Sequence, residues 1–210
     1  MIANIARQLR WVPLVIILCA LLVGLPAGQA SADPVLGGTL VYAGGDVSIL
    51  VIDAAAAFHN FLDIYSPGGT MLIDLPIENH GDFGLIGVGD PPFTLPAATI
   101  AGAGIAPGDE VVFGIFVSDT GFTYLMGPGS RNPDGIEHAK VDDLGGGLFH
   151  VGFEDLFGGG DLDFDDTLFE FRGGLRVPSR VPAPAPLVLL GAALAGLAAL
   201  ERVRRSSVKR

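Results

Sequence analysis

The chain has 210 residues, half of them hydrophobic, with 31 glycines, 15 prolines, one cysteine, one tryptophan and a formal net charge of −11. A lone cysteine excludes an internal disulfide framework. The charge opposes binding to phosphate backbones, so no nucleic-acid partner is expected.

The first thirty-two residues read as a secretory signal peptide. Arg7 and Arg10 form a positive region, Trp11 to Leu25 is apolar apart from Pro13 and Gly24, and Ala30-Ser31-Ala32 offers a small-x-small site for signal peptidase just before Asp33. The expected cleavage after Ala32 removes Cys19 and Trp11, which leaves no thiol for nucleophilic catalysis. Between Asp33 and Arg176 stand twenty-two carboxylates against Arg131, Lys140, Arg172 and Arg176, a net charge of −18, whereas both flanks are basic. Basic flanks favour the cytoplasmic side, so the acidic middle is expected to be exported across the inner membrane.

Residues 33–177 have the size of one domain. Apolar runs predict strands at Val47 to Ile52, Met71 to Leu75, Phe83 to Val88, Glu110 to Ser118, Leu148 to Phe153 and Thr167 to Phe171. Glu110 to Ser118 is apolar on both faces, as a central strand would be. In the last run Thr167, Phe169 and Phe171 share one face. Ala54 to Asp63 suits helix or strand. Turn signals at Ser66 to Gly69, Gly89 to Pro92, Ala106 to Asp109 and Asn132 to Gly135 separate the runs. Many short strands with Gly/Pro turns predict an all-β fold, an antiparallel β-sandwich or jelly-roll-like ectodomain.

Chemistry concentrates in Glu154 to Asp166, where Glu154, Asp155, Asp161, Asp163, Asp165 and Asp166 fall within thirteen residues. Carboxylates confined this closely repel unless a cation is present. Oxygen donors at alternate positions suit Ca2+. Gly158-Gly159-Gly160 permits a tight bend, and Phe157, Phe164 and Phe169 are expected to pin the loop to the core. Asp161, Asp163 and Asp165 match the first ligand positions of an EF-hand. Asp166 in place of the central glycine and Arg172 in place of the closing glutamate exclude a true one. A solvated acidic turn is the competing reading.

Catalytic patterns are weak, and no enzyme is expected. His59, His80, His138 and His150 form no close metal-ligand spacing; His138 and His150 read as surface or strand residues. Glu154 and Asp155 are adjacent, so they point to opposite faces of a strand instead of facing one another across a cleft. No nucleophile elbow or phosphate loop occurs.

Gly152 to Asp166 resembles an uncharacterised β-domain of secreted bacterial proteins, whose hallmark is Gly-Phe-Glu-Asp-Leu-x-Gly-Gly-Gly-Asp-x-Asp-Phe-Asn-Asp. Asp165 stands where Asn is usual. Val112 to Ile115 and Arg131 to Gly135 are also similar to that family, and the resemblance covers residues 45–172. It implies a β fold and a cation site, and no reaction.

The C-terminus runs from a Pro-rich spacer (178–186) through an apolar helix (187–200) to a basic tail (201–210). The apolar run spans roughly 21 Å as a helix, short of a bilayer core of about 30 Å. Val181-Pro182-Ala183-Pro184, the apolar run and the arginines after it resemble a PEP-CTERM sorting signal of Gram-negative bacteria, whose motif is usually Val-Pro-Glu-Pro. That resemblance implies a transmembrane helix serving as a transient anchor, processing by exosortase, and delivery to the outer surface or extracellular matrix, with extracellular polysaccharide as a candidate partner. A permanently tethered periplasmic binding protein and a small extracellular hydrolase using the acidic cluster are the alternatives.

Overall fold

The computed structural model describes residues 34–178. The signal peptide with Ala30 and Ala32, the sorting motif Val181, Pro182, Ala183 and Pro184, the apolar run and the basic tail lie outside the described residues. Among the described residues no helix is long and apolar enough to cross a membrane. The transmembrane helix expected above is corrected on that finding; α1 (Ala97–Gly102), the one α-helix described, has six residues.

The all-β expectation holds. Among the described residues twelve strands form two six-stranded sheets in a sandwich-like arrangement, and every strand pair is antiparallel. One sheet has the order β1 (Val35–Leu36), β9 (Ala139–Gly145), β10 (Leu148–Phe153), β11 (Thr167–Arg172), β3 (Val47–Asp53), β6 (Phe93–Leu95). The other runs β12 (Leu175–Arg176), β2 (Leu40–Tyr42), β7 (Glu110–Val117), β4 (Asn60–Tyr65), β5 (Met71–Glu78). Its sixth strand, β8 (Phe122–Leu125), pairs with β7.

Side-chain alternation explains which face each strand buries. Val47, Ile49 and Val51 of β3 are buried while the residues between them are not. In β11 the expected set Thr167, Phe169 and Phe171 faces the core. Phe113 of β7 meets Phe171 across the sheets with ring centroids 4.3 Å apart. β7 is buried along most of its length and has both edges paired, one by β4 and the other shared by β2 and β8. Full burial of one such aromatic side chain contributes about 1.5–3 kcal/mol.

One open reading is decided and one sequence expectation changes. Ala54 to Asp63 forms no helix; it is irregular up to His59, and β4 begins at Asn60. Phe83 to Val88 is not a strand. A single 3-10 turn covers Asp82–Gly84, Phe83 adopts φ 61°, and only an isolated bridge joins Ile77 to Ile86. Glycines at 81, 84 and 87 interrupt the extended backbone there.

β4 also buries a charge. The Asp63 carboxylate accepts the Leu75 amide at 3.0 Å and the Tyr65 hydroxyl at 3.3 Å. Burial pushes its pKa up to about 6, with the nearby charge of Asp74 adding to the rise. A raised carboxyl pKa stabilises the fold at pH values below the ordinary value of about 3.9, and that contribution is lost as pH rises through about 6. Asp63→Asn removes this dependence. Its stability relative to wild type should rise between about pH 4 and 7 by on the order of 1–3 kcal/mol. Urea melts across that range check it; a constant difference contradicts it.

Candidate functional site

The acidic segment leaves β10 at Phe153 and returns at the start of β11. Glu154 and Asp155 continue the chain beyond the strand end, and both are buried. The Glu154 amide donates to His138 O at 2.9 Å. The Glu154 carbonyl faces His138 Nδ1 at 2.9 Å. The turn at Asn132 to Gly135 braces the loop, since Asp134 Oδ2 accepts the Gly158 amide at 2.8 Å and lies 2.8 Å from His138 Nε2. His138 is therefore not at the surface: it is fully buried, with its ring stacked on Tyr124 at 3.8 Å.

The structure separates the six predicted carboxylates into a trio, a pair and one residue apart. Glu154, Asp161 and Asp163 each offer an oxygen within 4.8 Å of the others. Asp155 and Asp166 instead build structure: Asp166 Oδ2 accepts the Asp155 amide at 2.9 Å, and Asp155 Oδ2 accepts Asn60 Nδ2 at 2.9 Å. Asp165 lies at the surface, its amide directed at Asp163 Oδ1 at 3.3 Å.

Glu154 is the most constrained member. Its Oε1 accepts the Phe164 amide at 2.6 Å. Its Oε2 is buried and has no hydrogen-bond partner. A Cβ at Gly160 would stand 2.6 Å from that oxygen, so the residue there must be glycine for the loop to close over the carboxylate. The loop also crosses Gly152 so closely that a Cβ there would collide with the Phe164 carbonyl. Leu162 and Phe164 both hold φ near +64°, a conformation that costs non-glycine residues about 1 kcal/mol or more each. Phe164 and Phe169 are buried as expected, but Phe157 is exposed and packs on Phe122 with centroids 5.4 Å apart.

Charge crowding shows in the protonation equilibria. Burial raises the Glu154 pKa, and the charges of Asp166, Asp163 and Asp161 push in the same direction against the Phe164 hydrogen bond. Asp155 is pushed up to about 6, chiefly by burial and further by Asp166. The hydrogen bond with Asp163 raises Asp165.

A second cluster was not found in the sequence. His59, His80 and Asp82 also each offer a ligand atom within 4.8 Å of the others. They are separated in sequence, and pairing of β4 with β5 brings their ends together. One segment links the second cluster to the residues that flank the first. Asn60 follows His59 and donates to Asp155, and the Ala56 amide donates to Asp166 O while Ala56 O lies 2.9 Å from His80 Nε2.

Neither a protein-family model nor a curated protein nor a solved structure matches the chain. The two family resemblances therefore rest on the residues quoted for them.

Asn60 is the joint between loop and sandwich. Its Nδ2 donates to Asp155 Oδ2 and to Thr167 Oγ1, both at 2.9 Å. Asn60→Ala strips a buried carboxylate of a donor and should cost about 2 kcal/mol by denaturant melting. A loss under about 0.5 kcal/mol, the size of an ordinary surface change, would contradict the role given to it.

Proposed function

We propose that this is an exported bacterial surface or extracellular-matrix protein whose acidic loop is stabilised by Ca2+. Signal peptidase trims the leader after Ala32, and an exosortase acts at Val181 to Pro184. The sandwich then serves as a non-catalytic component of a biofilm or exopolysaccharide layer, with polysaccharide as its partner. A jelly-roll arrangement belongs to the same reading; successive strands pass between the two sheets, β2 to β3 to β4 and β6 to β7.

The observation that carries the calcium part is the unpartnered, buried Oε2 of Glu154 beside Asp161 and Asp163. Calcium bonds oxygen at about 2.3–2.6 Å, so its ligands lie at most about 5 Å apart. The three carboxylates each place an oxygen within 4.8 Å of the others, inside that limit. Asp161 and Asp163 are exposed, which leaves room for water to complete a shell of six to eight oxygens. The export part is supported by the order of sequence signals at both ends and by the −18 charge between them.

Millimolar Ca2+ should raise the melting temperature of the purified protein by about 3–6 °C, a binding contribution of about 1–2 kcal/mol for a site of millimolar affinity or somewhat tighter. Chelator should reverse the shift. Glu154→Gln should melt above wild type in chelator, because a buried charge is removed, and should lose the calcium response. No shift with calcium in wild type, or a full shift in Glu154→Gln, removes the cation from the account.

Mass spectrometry of the form released from the cell surface tests sorting separately. Its chain should begin at Asp33 and lack the terminal basic residues. An intact C-terminus through Arg210 would favour a tethered protein.

A further inference from the structure

The His59 cluster has a feature that the acidic loop lacks: both of its histidines are locked into a defined orientation by their outer nitrogens. His80 Nε2 lies 2.9 Å from Ala56 O, and a carbonyl can only accept, so Nε2 carries the hydrogen. The lone pair of a neutral ring is then on Nδ1, which faces Glu78 Oε1 at 3.4 Å. His59 Nδ1 lies 3.2 Å from Asp119 Oδ2, and the same oxygen accepts the His59 amide at 2.7 Å. With its Nδ1 hydrogen given to Asp119, that ring keeps its lone pair on Nε2, which faces Asp82 Oδ2 at 3.3 Å. Histidines that bind metals are characteristically held in this way, with the outer N–H given to a carbonyl or carboxylate.

Glu78 supplies an independent observation. It is fully buried, and its Oε2 accepts the amides of His80 at 3.1 Å and Asp82 at 2.8 Å. Its Oε1 is buried and makes no hydrogen bond. That oxygen is the one beside His80 Nδ1. Two imidazole lone pairs thus each face a carboxylate oxygen across a short gap. Without a positive charge in each gap the arrangement is repulsive. Placing an extra proton on both rings would put two cations side by side, with ring centroids 5.6 Å apart.

Two of the spacings are those of a metal shell, and the ligand atoms of His59, His80 and Asp82 lie within 4.8 Å of one another. A tetrahedral site with bonds of about 2.0–2.1 Å places neighbouring ligand atoms about 3.3 Å apart. The two nitrogen–oxygen gaps are 3.3 and 3.4 Å. We propose that His59, His80 and Asp82, with Glu78 Oε1 beside His80 Nδ1 as a further oxygen, form a site for a borderline divalent transition ion, Zn2+ being the ion that a set of two imidazoles and carboxylates fits. The bound ion ties the start of β4 to the loop that follows β5. Asp119, on the turn between β7 and β8, acts as a positioning residue through His59. Nitrogen donors set this site apart from the all-oxygen loop, and the inference stands without the calcium reading.

Titration of the full chain with zinc chloride near neutral pH, in the presence of millimolar Ca2+, tests it. Binding should be one to one with Kd of about 1 µM or tighter. His80→Ala and Asp82→Asn should each weaken it by about 100-fold, and Asp119→Asn by about 10-fold or more. Asp82 is exposed, so its variant leaves the fold intact. Substituted Co2+ should give the intense visible bands of a tetrahedral site in wild type and lose them in Asp82→Asn. Glu154→Gln should leave the zinc isotherm unchanged. Absence of zinc binding, or binding unaltered by both His80→Ala and Asp82→Asn, overturns the proposal. Unaltered zinc binding in a protein without a calcium response would sink only the calcium reading.

Discussion

Two consecutive carboxylates, Glu154 and Asp155, are carried by the end of β10 into a region that water does not reach. A buried, ionised group is tolerated only where donors or an opposite charge compensate it. Asp155 is compensated by protein: its carboxylate takes a hydrogen bond from Asn60, and its amide is held by Asp166. Glu154 is compensated only in part, through the Phe164 amide on one oxygen. The rest of the loop follows from this difference. Gly160 allows the close approach, Leu162 and Phe164 take left-handed conformations, and Asp161 and Asp163 are brought up to a carboxylate whose other oxygen has no partner.

The same logic recurs at Glu78, which also spends one carboxylate oxygen on backbone amides and leaves the other without a hydrogen bond. Both glutamates sit at a strand end, Glu78 as the last residue of β5 and Glu154 as the first residue after β10. Both stand beneath a loop containing a non-glycine residue at positive φ, Phe83 in one case and Leu162 and Phe164 in the other. Strand ends fix a side chain well while the following loop can still bring further donors to it. Sites built in this way are rigid on one side and adaptable on the other. Ala56, in the loop between β3 and β4, contacts His80 and the Asp166 backbone, and Asn60, the first residue of β4, contacts Asp155, so this segment links the histidine cluster to the residues that flank the acidic trio.

Much of the sandwich was legible because its strongest strands carry unambiguous patterns. β3 and β11 alternate, β7 is apolar on both faces, and β10 matches its predicted span from Leu148 to Phe153. β9 was not legible, since Ala139–Gly145 carries Lys140, Asp142 and Asp143 and reads as a polar loop. It is a strand because β10 and β1 hydrogen-bond to its two edges. Phe83 to Val88 misled in the opposite direction: its apolar spacing resembles a strand, but Gly81, Gly84 and Gly87 let the chain turn. The acidic cluster was legible as composition, but which carboxylates meet was not, because that depends on the turn through three glycines. The histidine cluster left no local trace. His59 and His80 are adjacent only through the register of β4 on β5.

The central claim is that the uncompensated Glu154 carboxylate makes the acidic loop depend on a cation for closure. Amide hydrogen exchange by NMR reads this directly at Phe164, whose N–H is bound to Glu154 Oε1. In Ca2+ the Phe164 amide should be protected nearly as well as those of β10 and β11; in chelator it should exchange at least about tenfold faster while the strand amides are unchanged, the signature of local opening. Equal protection of Phe164 in both conditions would show that the loop closes on its own, and the cation would have no part in holding it.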